Sequence, residues 1–182
     1  IIHRDTIAMT ANLLKACTNL NGYRPKKIIN ILSSCSYGED DILKETAYLN
    51  GNVHYSVMPH GEAKKTCYLM GIFYRKQFNL PVVHVCFNNI CGSETWNKPE
   101  TLKVLSALVK KVVDARNVGA ASIEVWGTGA ARREFIHVED AAEGLLRVLE
   151  SFDGDLINIG RGVDLPISQL VTDIKYYANY NG

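Results

Sequence analysis

The sequence has no long apolar run and no long run of charge of one sign. Of its 182 residues, 47% are hydrophobic and 21% are charged, and the formal net charge is +1. No stretch reaches the roughly 20 apolar residues that a membrane-spanning helix needs. The basic residues occur singly or as isolated pairs such as Lys26-Lys27 and form no run typical of a nucleic-acid-binding surface, and the first residues do not resemble a secretory signal. We therefore expect a compact cytoplasmic protein with neither a membrane nor a nucleic-acid partner.

The cysteines and histidines form no pattern that holds a metal ion or a disulfide framework. The five cysteines are an odd number and include no C-x-x-C pair, which disfavours both a set of disulfides and a zinc knuckle. The five histidines show no H-E-x-x-H spacing. We expect reduced thiols and no metal site.

A glycine-rich dinucleotide fingerprint is also missing. No G-x-x-G-x-x-G follows an apolar run, and the pairs Gly127/Gly129 and Gly160/Gly162 lack a third glycine. Such a motif lets the backbone approach a pyrophosphate at the start of a helix. The chain does not begin with Met and opens almost directly into a helical pattern, so we expect it to be a piece of a longer product.

Short apolar runs rich in β-branched residues alternate with segments of helical spacing. The runs predict strands at 28–33, 82–87 and 156–160, and a brief strand at 122–126. Near-continuous apolar strands that alternate with helices are typical of a parallel sheet covered on both faces. The sequence therefore predicts an α/β fold.

Steps of three and four residues between apolar positions predict the helices. A polar stretch at 38–59 precedes the second predicted helix, and a loop at 92–99 precedes the third. Asp140 and Ser168 are in position to cap the last two helices. The predicted apolar faces are Ile7, Ala11, Leu14 and Cys17; Ala63, Cys67, Met70 and Tyr74; Leu102, Leu105, Val109 and Val112; and Ala142, Leu145, Leu146 and Leu149.

Five short motifs occur in an order and spacing typical of one enzyme family. They are Ser33–Gly38 (S-S-C-S-Y-G), His60–Lys65 (H-G-E-A-K-K), Phe87–Gly92 (F-N-N-I-C-G), Val125–Gly129 (V-W-G-T-G) and Arg132–Asp140 (R-R-E-F-I-H-V-E-D). Together they resemble the extended short-chain dehydrogenases/reductases that act on nucleotide sugars, the NAD-dependent epimerase/dehydratase family. The last two motifs are similar in particular to its GDP-L-fucose synthase branch. The resemblance covers nearly the whole chain.

The resemblance implies a partial Rossmann-like parallel sheet with helices on both faces, plus a small substrate-binding lobe. Residues 1–92 would be the remainder of the Rossmann-like domain with the catalytic segment. Residues 93–182 would form the substrate-binding lobe, interleaved with the last sheet strand. In this family a glycine-rich block precedes the first helix seen here, so we expect one edge of strand 28–33 to be exposed unless another chain or segment covers it.

The resemblance also implies the ligands and the assembly. The cofactor would be NADP or NAD, contacted by Lys64, Phe87, Asn89 and Ile90, and the substrate would be a nucleoside-diphosphate sugar. Phe87 stands where the family has Pro. A homodimer is expected through the helices near 5–20 and 60–78.

Ser33 and Cys35 match two catalytic positions of the family. A hydroxyl at Ser33 would orient the sugar carbonyl and hydrogen-bond a developing alkoxide, or it would simply satisfy the end of a strand. Cys35 falls where fucose synthases have the acid/base thiol for epimerisation. The alternative for Cys35 is a small buried apolar residue.

His60 and Lys64 stand at the family's Y-x-x-x-K pair, in which the Tyr exchanges a proton with the sugar oxygen. A neutral imidazole at His60 could accept that proton. The alternative is a His at a helix start with no chemistry, with Tyr55 or Tyr37 as substitute phenols. Lys103 takes the place of the family's acid/base His and would need a lowered pKa to act at neutral pH.

Three residues match the substrate side of the family. Arg133 corresponds to the Arg that binds the diphosphate, for which a planar guanidinium is suited. Trp126 corresponds to the residue beside the nucleotide, and Lys111 to a basic substrate contact. The alternatives are an ion pair of Arg133 with a neighbouring glutamate and a core role for Trp126.

Two functions follow. The first is a nucleotide-sugar epimerase/reductase of the GDP-L-fucose synthase type. The second is a catalytically degenerate relative or fragment that binds a nucleotide sugar or a subunit.

Overall fold

A computed structural model describes residues 2–19, 22–38, 42–92 and 103–182. The chain divides into two compact units, Ile1–Asn88 with Ala141–Ile159, and Asn89–Asp140 with Gly160–Gly182. The helices are α1 (Ile2–Thr18), α2 (Met58–Phe78), α3 (Val104–Val118), α4 (Val138–Ser151) and α5 (Ile167–Tyr177). The strands are β1 (Ile28–Ser33), β2 (Val82–Phe87), β3 (Asn89–Cys91), β4 (Arg132–Arg133), β5 (Phe135–His137), β6 (Leu156–Ile159) and β7 (Leu165–Pro166).

Strand β2 is the centre of the first unit. All six of its residues are buried, and it pairs in parallel with β1 on one side and β6 on the other. A strand that is covered on both faces and paired on both edges requires a nearly unbroken apolar run. The predicted α/β fold with a parallel sheet is confirmed, and β1 is an edge strand among the described residues.

Helices α1 and α2 pack together on one face of this sheet. Leu14 of α1 is buried in a cluster with Ile28 and Val82. Helix α2 begins beside Pro59, whose missing N–H is not needed in a first turn, and ends at Asn79 in the left-handed conformation with φ 53°. Both helices lie where the apolar spacing predicted them.

Helix α4 packs on the sheet through a face other than the predicted one. Ala141 and Val148 are its buried residues, and Gly144 lies so close to Ile159 that an added Cβ would be 3.0 Å from that side chain. Because Gly144 has no side chain, the helix can approach β6 closely, and the face formed by Ala141, Gly144 and Val148 packs against the sheet. The predicted face was wrong because Ala142, Leu146 and Leu149 are exposed.

The second unit has two small sheets and two packed helices. Strand β3 pairs with β5 in parallel, and β4 pairs with β7 antiparallel. Helices α3 and α5 share a core that includes Val112, Ala115 and Tyr180. The Tyr180 hydroxyl donates to the Ala120 carbonyl at 3.0 Å, which ties the end of the chain to the loop after α3.

Three expectations for the second half of the chain were wrong, and two others fall largely or wholly outside the described residues. Residues 122–126 do not form a strand, because the Glu124 carbonyl bonds to a lysine side chain instead of a strand partner. Helix α4 begins at Val138 and α5 at Ile167, so Asp140 and Ser168 lie in first turns and are not caps. The predicted loop at 92–99 and Leu102 of the α3 face fall largely or wholly outside the described residues.

His84 is a buried titratable group in the middle of β2. Its Nδ1 lies 3.0 Å from the Asp155 carbonyl oxygen and 3.3 Å from the carboxylate Oδ1, and Arg75 pairs with the same carboxylate at 3.3 Å. The Tyr68 ring packs edge-on against the imidazole, with 4.7 Å between the ring centres. A Cβ added at Gly71 would clash with the His84 Nε2 atom. Burial lowers the pKa of His84, although the contacts with Asp155 oppose this shift.

We predict that His84 makes the fold acid-sensitive. A folded pKa below the unfolded value of about 6.5 means that the unfolded chain binds more protons, so stability is full above that pH and falls as the pH decreases towards the folded pKa. The free energy of unfolding should fall by at most about 1.4 kcal/mol per pH unit from this group. Urea unfolding between pH 7.5 and 5.5 should show a smaller decrease for His84→Asn than for the wild type.

His3 provides the matched control, since it is exposed on α1. His3→Asn should keep the wild-type pH dependence. An unchanged pH dependence in His84→Asn would show that this histidine does not set the acid limit.

Candidate functional site

The carboxyl end of β1 gathers Ser33, Cys35 and Lys64. Ser33 caps a 3-10 turn at 34–36, where its Oγ accepts a hydrogen bond from the Cys35 N–H at 3.3 Å. The Lys64 Nζ donates to the Ile31 carbonyl at 2.8 Å. Because the Ile28 N–H bonds towards β2 and backbone groups alternate sides along a strand, the Ile31 carbonyl points to the edge away from β2. Lys64 therefore lies on the outer edge of β1.

The first turn of α2 holds His60 at the same place. Gly61 follows it, and a Cβ at Gly61 would lie 2.5 Å from the Cys35 carbonyl oxygen. The buried Ser36 hydroxyl donates to the Gly61 carbonyl at 3.0 Å, so the turn and the helix start are bound together. The structure thus brings together the predicted catalytic residues Ser33, Cys35, His60 and Lys64, with His60 half-buried.

A second thiol lies near Cys35 and was not predicted as part of the site. Burial, together with the nearby Cys35 and Glu45, raises the pKa of Cys86 to about 12, while Lys64 acts in the opposite direction. Cys86 therefore stays protonated at neutral pH, whereas Cys35 is only half-buried. The parallel register that sets Leu32 opposite Cys86 places this neighbour, and the apolar runs of the sequence do not specify that register.

The two tyrosines named as substitute phenols differ sharply in exposure. Tyr37 is buried, its hydroxyl donates to Asn158 Oδ1 at 2.8 Å, and burial raises its pKa well above the ordinary value. Tyr55 is 80% exposed and its ring lies 4.8 Å from that of His54. Tyr37 is therefore part of the core, and Tyr55 is the one of the two that reaches solvent.

The residues predicted to contact the cofactor fall at the end of β2 and on β3. Phe87 is buried, with 4% of its surface exposed. Asn89 donates from its Nδ2 to the Glu134 carbonyl at 2.8 Å, and the Ile90 side chain is 42% exposed. Of these three, Ile90 presents the most surface to a ligand.

In the second unit, Lys111 and Trp126 form a pair. The Lys111 Nζ lies 5.4 Å from the centre of the Trp126 ring and donates to the Glu124 carbonyl at 2.7 Å. Trp126 is 83% exposed, so it is not a core aromatic. A cation over one face of an indole leaves the other face open for stacking, which suits the planar base of a nucleotide.

Arg133 lies on β4 and Lys103 at the start of α3. The Arg133 guanidinium is exposed and donates from one nitrogen to the Arg132 carbonyl at 2.7 Å, which leaves further donors for an anion. The carboxylate of Glu139, a neighbouring glutamate with which Arg133 could have paired, lies 3.8 Å from the Nδ1 atom of His137. Lys103 is exposed at the position before the first residue of α3.

The geometry of the first unit and the motifs of the second fit one protein family. The profile of the NAD dependent epimerase/dehydratase family matches residues 1–160. The chain belongs to this family. Arabidopsis thaliana GDP-L-fucose synthase 1 is 30% identical over 86% of the chain and 50% of that protein. Yersinia pseudotuberculosis GDP-L-colitose synthase is 28% identical over 98% of the chain and 58% of that protein.

Solved structures of this fold superpose on nearly the whole chain. A GDP-L-fucose synthetase from Naegleria fowleri matches with a TM-score of 0.84 at 24% identity, over 98% of this chain and 56% of that one. A GDP-mannoheptose C4 reductase from Campylobacter jejuni, with NADP bound, matches with a TM-score of 0.85 at 23% identity, over 98% of this chain and 63% of that one. The chain spans about half the length of the curated relatives it matches.

Lys64 and Ser33 could hold one end of a nicotinamide dinucleotide such as the NADP bound in the Campylobacter jejuni structure. An ammonium has three donors, so Lys64 keeps two for ribose hydroxyls beside Ser33 after bonding the Ile31 carbonyl. No glycine-rich pyrophosphate motif occurs in the 182 residues. Among the described residues, no cluster of three or more His, Cys, Asp or Glu side chains could hold a metal ion, and no helix is long and apolar enough to cross a bilayer.

Proposed function

We propose that this chain binds a nucleoside-diphosphate sugar and serves in its epimerisation and reduction, as in enzymes of the GDP-L-fucose synthase type. The exposed Trp126 with Lys111 against its ring carries the proposal, because an open indole face and a nearby cation suit a base and its phosphates. Arg133, exposed on β4 within the same unit, supplies donors for the diphosphate. The family and the relatives named above support this choice of substrate class.

The chemistry that we assign to the first unit is proton transfer and alkoxide stabilisation. Ser33 would hydrogen-bond the sugar oxygen, and His60 as the imidazolium would give that oxygen a proton as the ketone is reduced, the neutral imidazole serving in the reverse direction. Cys35 would move the epimerisation proton. Lys103 is the residue that we assign to the position of the family's acid/base histidine. A bound nicotinamide would supply the hydride, and Lys64 is the residue we assign to its ribose.

A second candidate function is nucleotide-sugar binding without reduction. His60 and Lys103 replace the Tyr and His of the family, and the Lys64 ammonium is bonded to the edge of β1. A chain with these changes could keep substrate recognition after losing turnover. Consumption of NADPH with a 4-keto nucleotide sugar as substrate would exclude this candidate.

We predict that Arg133→Ala weakens the binding of GDP-L-fucose by about ten-fold or more. Hydrogen bonds to charged groups contribute about 1.5–3 kcal/mol each, and the exposed guanidinium is the donor that we assign to the diphosphate. Isothermal titration calorimetry measures the change.

Arg147→Ala is the matched control, because Arg147 is an exposed arginine on α4 that pairs with Glu143. It should bind the ligand as the wild type does. Equal affinity of Arg133→Ala and wild type would remove Arg133 from the substrate site.

We infer that the chain pairs with a second copy through α1 and α2. Met9 and Leu13 of α1 are 72% and 56% exposed, and Phe73 of α2 is 57% exposed. These apolar side chains lie on helices that pack against each other. Exposed apolar side chains on a pair of packed helices suit burial against the same face of a second copy, which would give a two-fold dimer.

The double variant Met9→Glu/Leu13→Glu should therefore be monomeric, because like charges would face each other across the two-fold axis. Sedimentation velocity should give a dimer for the wild type and a monomer for the variant. Leu146→Glu is the control, since Leu146 is 59% exposed on α4. Dissociation by Leu146→Glu alone would place the interface on α4 instead.

A further inference from the structure

Strand β4 is a two-residue strand that carries Arg133. It pairs antiparallel with β7, Arg132 opposite Pro166 and Arg133 opposite Leu165. Pro166 has no N–H and cannot donate to the ladder. Next to this pair, the Ile167 and Ser168 N–H groups donate to the Ala131 and Gly129 carbonyls at 2.9 and 3.0 Å, so backbone bonds already hold the chain just before Arg132.

The side chain of Arg132 adds hydrogen bonds to this short ladder. Its Nε and Nη2 donate to Asp164 Oδ1 at 3.0 and 2.9 Å, and Nη2 also donates to the Asp164 carbonyl at 3.1 Å. Asp164 directly precedes β7. The contact, which we call the β4 clamp (Arg132 and Asp164), therefore bridges both strands of the small sheet.

The clamp also separates the two adjacent guanidinium groups. Consecutive residues of a strand project to opposite faces, so fixing Arg132 on Asp164 fixes the face on which Arg133 projects. A slip of one residue would exchange the two faces. The carboxylate raises the pKa of Arg132, and the pKa of Asp164 is lowered by the same contact, so both partners stay charged across the neutral range.

Further contacts hold the backbone just after Arg133. The Asn89 amide donates to the Glu134 carbonyl at 2.8 Å, and Glu134 Oε1 accepts from the Gly162 N–H at 2.8 Å. The clamp and these two contacts secure β4 on both sides of Arg133, whose own guanidinium donates to the Arg132 carbonyl at 2.7 Å.

We propose that Arg132 and Asp164 are positioning residues for diphosphate recognition: the β4 clamp sets Arg133 as the guanidinium that meets the diphosphate. The inference rests on the proposed function. The clamp is an exposed ion pair, with side chains 56% and 48% accessible, and such pairs add little to global stability. Its effect should therefore appear in ligand affinity more than in unfolding.

The test compares GDP with GMP by calorimetry, since the two ligands differ by one phosphate. Arg132→Gln/Asp164→Asn removes the clamp and leaves the net charge unchanged. It should lose about five-fold or more in GDP affinity and less than about two-fold in GMP affinity, because the positioned guanidinium acts on the diphosphate. The charge swap Arg132→Asp/Asp164→Arg rebuilds the pair and should restore most of the GDP affinity.

The other possible outcomes would overturn either the positioning role or the proposed function. Wild-type GDP affinity in the unclamped variant, with loss in Arg133→Ala, overturns the positioning role and leaves the proposed function intact. Equal losses for GDP and GMP, or no rescue by the swap, show a general structural role and also overturn it. Failure of the wild type to bind GDP overturns the proposed function itself.

Discussion

The structure depends on the burial of β2 between two parallel neighbours. A strand covered on both faces and both edges must satisfy every backbone group through β1 and β6 and must fill both faces with apolar side chains. Parallel pairing also brings the carboxyl ends of neighbouring strands to one edge, where open α/β sheets bind ligands. The crossover through α2 follows from the same constraint, and it delivers His60 and Lys64 to the end of β1 that carries Ser33.

The proposed chemistry relies on groups that the fold leaves partly accessible next to groups that it buries. Cys86 is buried with a raised pKa, while Cys35 remains half-buried beside it. Tyr37 is fixed to Asn158 in the core, and Tyr55 reaches solvent. In the second unit, Trp126 is exposed against a lysine where a core aromatic would be enclosed. Burial thus selects which members of each chemically similar pair are available for a ligand.

The sequence predicted correctly those elements whose apolar pattern is compatible with only one kind of secondary structure. The strands at 28–33 and 82–87 and the helix after Pro59 were predicted because continuous apolar runs and helical steps leave few alternatives. The buried face of α4 was predicted wrongly because the helix has two apolar stripes. Only the close approach of Gly144 to Ile159 decides which stripe is buried. Residues 122–126 alternate like a strand but have no strand partner in the part of the chain that the structure describes.

The candidate site was likewise predictable only in part. Ser33, His60 and Lys64 could be placed together because the topology of a parallel sheet determines where strand ends and helix starts meet. The contact of Arg132 with Asp164 could not be predicted, because exposed charges 32 residues apart in sequence follow no periodic pattern. The approach of Cys86 to Cys35 depends on strand register, which apolar runs alone do not specify.

Calorimetric titration of the purified chain with GDP-L-fucose and, separately, with NADPH tests whether the chain recognises a nucleoside-diphosphate sugar. We expect a saturable binding heat with the nucleotide sugar and an affinity that falls when salt screens its phosphates. Binding of NADPH as well would favour turnover over binding alone. No binding of the nucleotide sugar under any salt condition would contradict the assignment of Trp126, Lys111 and Arg133 to a nucleoside-diphosphate sugar.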